Sequence, residues 1–231
     1  MAPEHPFPKP VDECLSVTKY ILHNAEEFGG DSERVVLAGD SAGGNAAAVI
    51  TQTLLKDKSL KNQPKLQVLI YPWVQLVDQI GLPSCLFYTG KTFTSGAKLT
   101  FPKYVSWYLG IRNITEEIES TLLSNSHFSL IDESERKQII SYLDPNKIPN
   151  EYKKDRTYYN LRTNDIQKQF VYPSRIDENS LLKREPEMAK LFKNLFSPEI
   201  SPLLADSRAL KGLPKAYIII FEWDYLKGIY S

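Results

Sequence analysis

The feature that most limits what this chain can become is Gly39-Asp40-Ser41-Ala42-Gly43, a G-x-S-x-G pentapeptide between two runs of opposite character. Before it stands Val35-Val36-Leu37-Ala38, short, β-branched and unbroken in its apolarity. Such a run suits a parallel strand buried on both faces. After it, Ala42 to Leu55 is rich in Ala and Leu and free of proline, which predicts a helix. A strand that turns straight into a helix over this pentapeptide holds its serine hydroxyl exposed at the top of a tight, strained turn.

The chemistry that such a turn serves is nucleophilic attack, because a serine hydroxyl is a weak nucleophile until it is presented beside a base. On this reading Gly39 and Gly43 lack Cβ atoms that would collide as the chain reverses, and Gly44 adds room for close packing. Asp40 completes the elbow. The helix N-terminus then points at Ser41 and leaves the backbone N–H of Ala42 free to donate to an oxyanion. The bland alternative is a glycine-rich βα turn that binds phosphate or only packs. Neither G-x-x-x-x-G-K-[ST] nor G-x-G-x-x-G is present to support it.

Around the elbow, apolar residues recur at helical spacing from Pro10 to Glu27 and stop at Gly29-Gly30, and a second apolar strand runs from Leu66 to Tyr71. Strand, helix and strand within about forty residues predict a right-handed βαβ crossover and the α/β class, a mostly parallel sheet with helices on its faces. From Phe87 the rhythm is lost, and we read 87–197 as an inserted cap. Phe101 to Leu109 and Ser134 to Leu143 read as helices within it; the aromatic residues of the first either pack or line an apolar pocket. The core resumes at Ser201-Pro202-Leu203-Leu204 and a third buried strand within Pro214 to Phe221. The division is thus 1–86 core with elbow, 87–197 cap, 198–231 core with the acid described next.

In hydrolases built this way the triad runs serine, acid, histidine, with the acid after a later strand. Asp224, in Glu222-Trp223-Asp224, has that place, and a plain surface carboxylate is the alternative. Composition removes other classes. With 28 basic and 28 acidic residues among 231 and no long basic run, a nucleic-acid partner is not implied. No segment has the roughly 18 to 20 apolar residues of a membrane span, and Met1 to Pro6 has no signal-peptide core. Cys14 and Cys85 could pair or stay reduced; their spacing resembles no metal or redox site, so neither a metal nor a cofactor is expected.

Four motifs in order, Ala2-Pro3-Glu4-His5-Pro6-Phe7-Pro8, Gly39 to Asn45, Ser201 to Leu204 and Glu222 to Asp224, resemble the arylacetamide deacetylase-like branch of the hormone-sensitive lipase family of α/β-hydrolases. The resemblance implies a capped α/β-hydrolase fold and a serine hydrolase of carboxylic esters or amides, with lipid or xenobiotic substrates. It also implies an endoplasmic reticulum membrane location on the lumenal side, with membrane association for a full-length form. The sequon Asn113-Ile114-Thr115 is compatible with that location. Carried onto this sequence, Ser41 is the nucleophile, Asp224 the acid and Ala42 the oxyanion donor.

The family's His-Gly-Gly-Gly oxyanion motif has no counterpart here, and no histidine follows Asp224. His5, His23 and His127 do not have the position of the family's base. The expectation is therefore a chain incomplete at both ends, with sheet surfaces uncovered. Without a base, only about 10³ to 10⁴ over water would remain. A non-catalytic relative that binds a ligand or a partner is the competing reading.

Overall fold

The computed structural model describes residues 2–78, 95–144 and 172–221. Cys85 and Glu222-Trp223-Asp224 lie outside them, so the Cys14 to Cys85 question and the position of the acid do too.

Three strands, β1 (Val36–Asp40), β2 (Leu66–Ile70) and β3 (Lys215–Ile219), form a wholly parallel sheet in the order β1-β2-β3. The register sets Val36 beside Leu66 and Leu66 beside Lys215, so all three strands end together at Asp40, Ile70 and Ile219. Parallel neighbours need a crossover. Between β1 and β2 it is the helix α2 (Ala42–Leu55), as the βαβ spacing predicts, and the chain has the α/β class read from its sequence. The helix α1 (Lys9–Asn24) packs on α2 through Cys14, Leu15 and Leu22 against Ile50 and Leu54. It gives way to a short 3₁₀ turn, Ala25–Phe28, closed by Gly29 at φ 71°, where the left-handed backbone favours glycine.

The apolar run of β1 suits a strand buried on both faces and that of β3 a buried strand, yet Val36 is 45% exposed and Tyr217 63% exposed, which agrees instead with the expectation of uncovered sheet surfaces. Among the described residues, the helix that lies on the sheet is α2, which covers β1 and β2 on one face. β2, the middle strand, is the better buried, with Gln67 and Leu69 inside.

The larger core lies elsewhere. Helices α3 (Ser95–Tyr108), α4 (Glu116–Leu123), α5 (Glu133–Tyr142), α6 (Leu181–Arg184) and α7 (Pro186–Lys193) enclose Val105, Leu122, Phe128, Phe192 and Leu195. Trp73, Leu76 and Val77, on the segment after β2, join the same cluster. Two starts are capped by side chains: the Thr115 hydroxyl accepts from the Ile118 N–H, and the Asp132 carboxylate from the Glu135 N–H. The helices expected at 101–109 and 134–143 are α3 and α5, with α3 beginning six residues earlier and carrying Pro102 inside it.

Candidate active site

Ser41 is the residue between β1 and α2, and its backbone carries the strain that an elbow requires: φ 53°, ψ −117°. A non-glycine residue held there costs on the order of 1 to 3 kcal/mol, so its surroundings must fix it. They do so with three backbone bonds. The Ser41 N–H donates to the Ile70 carbonyl (2.9 Å), and the Ser41 carbonyl accepts from the N–H groups of Asn45 and Trp73 (each 3.1 Å). The elbow is thus tied at once to its own helix, to β2 and to the segment after β2.

The steric expectation holds for Gly39 and Gly44 and fails for Gly43. A Cβ on Gly39 would stand 2.3 Å from the Gly43 carbonyl oxygen, and one on Gly44 2.7 Å from the Pro72 Cβ. A Cβ on Gly43 would meet nothing within 4 Å. The close approach is of Gly39 to the backbone of Gly43, so Gly39 needs to be small while Gly43 faces open space. Asp40 is exposed, and its Oδ2 accepts from the Tyr71 hydroxyl at 3.1 Å. Ala42, the first residue of α2, is exposed and contributes one of the N–H groups that a helix start leaves without an intrahelical partner.

Ser41, Ala42 and Gly43 line a cavity of about 470 Å³. One wall is Val11 and Cys14 of α1; the other is Trp73 and Leu76 after β2 with Val105 and Tyr108 of α3. Thus the α3 aromatics that could pack or line a pocket do both, since Phe101 sits edge-on against Trp73 with ring centroids 5.0 Å apart. Burial, with a smaller contribution from the neighbouring Cys14, pushes the Tyr108 phenol up to about 12, so it stays a neutral hydroxyl. Cys14 is half-buried and forms no disulfide among the described residues.

Sequence reasoning passed over Asn45. It is 6% exposed and donates both amide hydrogens, to the carbonyls of Trp73 (2.7 Å) and Ile200 (2.8 Å). The available signal was an amide one turn past Ser41 among Ala and Ile residues, where a polar group survives only with partners. Ser201 has a parallel role: its hydroxyl donates to the Leu195 carbonyl (2.8 Å) and accepts from the Leu76 N–H (3.0 Å).

None of the three histidines lines the cavity. His5 is exposed, and the Nδ1 of exposed His23 bonds the Lys19 carbonyl at 2.7 Å. His127 is enclosed by Phe128, Phe192 and Phe196 and bonds the Val77 carbonyl through Nε2 at 2.6 Å. Burial holds its pKa below the usual histidine value, against the pull of that carbonyl. Among the described residues, no three His, Cys, Asp or Glu side chains converge as a metal site would need, and no helix is long and apolar enough to cross a membrane.

Comparison with known proteins agrees with this geometry. Residues 1–127 match a family model described as alpha/beta hydrolase fold. Arylacetamide deacetylase of Bos taurus is 29% identical over 230 residues, 98% of this chain and 50% of that protein. The Mus musculus enzyme of the same name is 30% identical over 229 residues, and neutral cholesterol ester hydrolase 1 of Rattus norvegicus is 30% identical over 233, with the same coverage. The chain spans about half the length of these curated relatives. Among solved structures, a hyperthermophilic esterase from Pyrobaculum calidifontis is 24% identical, over 98% of this chain and 46% of its own, at a TM-score of 0.45. The strained serine between a parallel strand and its crossover helix and the match over more than half the chain lead to one assignment: this chain belongs to the alpha/beta hydrolase fold family, and in sequence it is arylacetamide deacetylase-like.

Proposed function

We propose that the cavity is the acyl-transfer site of a serine hydrolase of carboxylic esters or amides. Ser41 is the nucleophile, the Ala42 N–H is an oxyanion donor, and Asp224 is the acid that orients a histidine other than His5, His23 and His127. The observation that carries the reading is Ser41 itself, held at φ 53° and opening on an apolar cavity. In the reaction the Ser41 Oγ bonds to the substrate carbonyl carbon while the histidine takes its proton. The alcohol or amine then leaves with that proton, and water releases the acid. The apolar walls suit a lipid or an aromatic ester. The division into core (1–86 and 198–231) and cap (87–197) belongs to the same proposal.

The test is labelling of the natural protein with a fluorophosphonate, followed by peptide mapping. Stoichiometric labelling at Ser41 is expected, abolished in Ser41→Ala and slowed on the order of 10⁴-fold in Asp224→Asn. Failure of Ser41 to label in active, folded protein would refute the assignment. A second reading, a hydrolase-like protein that binds its ligand without cleaving it, is favoured by the absence of histidine from the cavity wall. It requires retention of an ester with neither labelling nor turnover.

Membrane association on the lumenal side of the endoplasmic reticulum rests on the resemblance, and Asn113 of the sequon is on an exposed loop before α4. Sensitivity of the natural protein to endoglycosidase H, lost in Asn113→Gln, is the outcome that supports it.

A further inference from the structure

We infer that Tyr71 is a positioning residue of the Ser41 site: its hydroxyl fixes Asp40, the residue before the nucleophile, while its backbone and ring fasten that point to the end of β3. The inference rests on the reading of Ser41 as the nucleophile proposed above.

Tyr71 stands directly after β2 with φ 34°, a left-handed backbone that bulky residues rarely adopt and that glycine takes at no steric cost. Such strain persists only where the surroundings fix it, and it clusters at functional sites. A tyrosine in that conformation is explained by what its side chain reaches. The hydroxyl donates to Asp40 Oδ2 at 3.1 Å, and the ring lies against that of Phe221, with centroids 5.3 Å apart and planes at 42°. The Tyr71 N–H donates to the carbonyl of Ile219, the last residue of β3, at 2.7 Å. Tyr71 thus joins the ends of all three strands, and Asp224 follows Phe221 by three residues in sequence.

The same residue lies between the two groups that hold the nucleophile. The Ile70 carbonyl accepts from the Ser41 N–H and the Trp73 N–H donates to the Ser41 carbonyl, so the course of the chain through Tyr71 sets both partners. The hydroxyl adds a tie on the strand side of the turn, which those two backbone bonds do not supply. Misplacing a reacting group by about 1 Å can slow a reaction on the order of 10²-fold, so loosening one tie of several places the loss near 10-fold. The Tyr71 to Asp40 bond is exposed, and exposed polar pairs contribute little to stability. Its loss should therefore appear in the reactivity of Ser41 and not in unfolding.

The experiment follows the rate of fluorophosphonate labelling at Ser41 against probe concentration in the natural protein, in Tyr71→Phe, in Asp40→Ala and in the double variant. Tyr71→Phe keeps the ring against Phe221 and removes the hydroxyl. Its maximal labelling rate is expected to fall about 10-fold, with the half-saturating probe concentration and the urea midpoint unchanged. Because the hydroxyl acts through Asp40, the double variant is expected to label no more slowly than the slower single one. Labelling that Tyr71→Phe leaves unchanged would overturn the inference, as would losses that multiply in the double variant. A loss of rate matched by a fall in the urea midpoint would assign Tyr71 to stability alone and overturn it too. Asp40→Ala removes the same bond from its other side, so an unchanged rate there is equally decisive where Tyr71→Phe does not fold. Absence of labelling in the unsubstituted protein would overturn the hydrolase reading and this inference with it, whereas equal labelling with and without the hydroxyl removes this inference alone.

Discussion

Three glycines within six residues, Gly39, Gly43 and Gly44, are predicted to respond to alanine in different directions. At Gly39 the added Cβ would lie 2.3 Å from the Gly43 oxygen, 2.4 Å from its carbonyl carbon and 2.9 Å from the Gly44 nitrogen. All three are backbone atoms of the first turn of α2, so relief requires moving the helix off β1, although α2 and β1 are one of the main packed pairs of the fold. Overpacking usually costs about 1 to 3 kcal/mol, and a rigid obstacle places Gly39→Ala at about 3 or above. At Gly44 the obstacles are the Pro72 Cβ (2.7 Å) and Cα (2.9 Å) and the Gly39 oxygen (3.1 Å), so about 1 to 3 kcal/mol is expected. At Gly43 nothing stands within 4 Å, and alanine in a helix is favoured over glycine by about 0.5 to 1 kcal/mol. Gly43→Ala is therefore expected to be neutral or stabilising, with its methyl projecting beside Ser41 into the cavity. With a urea m-value of roughly 2 kcal/mol/M, the Gly39→Ala midpoint falls by about 1.5 M while that of Gly43→Ala holds or rises. Equal destabilisation by Gly39→Ala and Gly43→Ala would refute the reasoning, because it would mean that the elbow is not shaped by the approach of Gly39 to the Gly43 backbone.

Asn45→Ala leaves two buried carbonyls, those of Trp73 and Ile200, without donors; at about 1 to 3 kcal/mol for each, thermal or urea unfolding should show a loss of roughly 2 to 6 kcal/mol. His127 has its folded-state pKa below the unfolded value of about 6.5, so as pH falls the unfolded chain takes up the proton first, and stability present above 6.5 is lost below it. Unfolding midpoints measured from pH 7 to 5 should decline with a slope of up to about 1.4 kcal/mol per pH unit, and that share of the slope should vanish in His127→Gln. Alkylation of Cys14 with N-ethylmaleimide places a bulky adduct in the cavity wall and is expected to slow fluorophosphonate labelling of Ser41 several-fold, an effect that Cys14→Ser removes.

The elbow was legible in the sequence because the elements that make its turn are local, although the bonds that hold Ser41 reach to Ile70 and Trp73. A strand, a strained serine, a helix start and one glycine against the next turn all fall within Val36 to Gly44, so neighbours in sequence are neighbours in space. Even there the pentapeptide misassigned one constraint, since Gly39 and Gly44 meet obstacles and Gly43 does not. The burial of the strands was not legible, and for a different reason. An apolar run records that a strand can be covered on both faces, but coverage is a property of what lies against it. β1 and β3 are the outer strands of the described sheet, and the same kind of sequence that buries Leu69 in the centre leaves Val36 and Tyr217 exposed.

The cavity walls lie furthest from sequence reasoning, and they decide what the site can recognise. Val11 and Cys14, Trp73 and Leu76, and Val105 and Tyr108 come from three segments, each of which shows only that one of its faces is apolar. Which apolar faces meet is settled by long-range polar ties: Asn45 to Ile200 across 155 residues, Ser201 to Leu76 across 125, and Gln52 to Pro202 across 150. These bonds fasten the 200–204 return to the elbow helix on one side and to the segment after β2 on the other, and with the Asn45 bond to the Trp73 carbonyl they fix where Trp73 stands relative to Ser41. A substitution that loosens one of them, far from the nucleophile in sequence, should therefore alter ligand selection before it alters the strained backbone of Ser41, which its own bonds to Ile70, Asn45 and Trp73 hold in place.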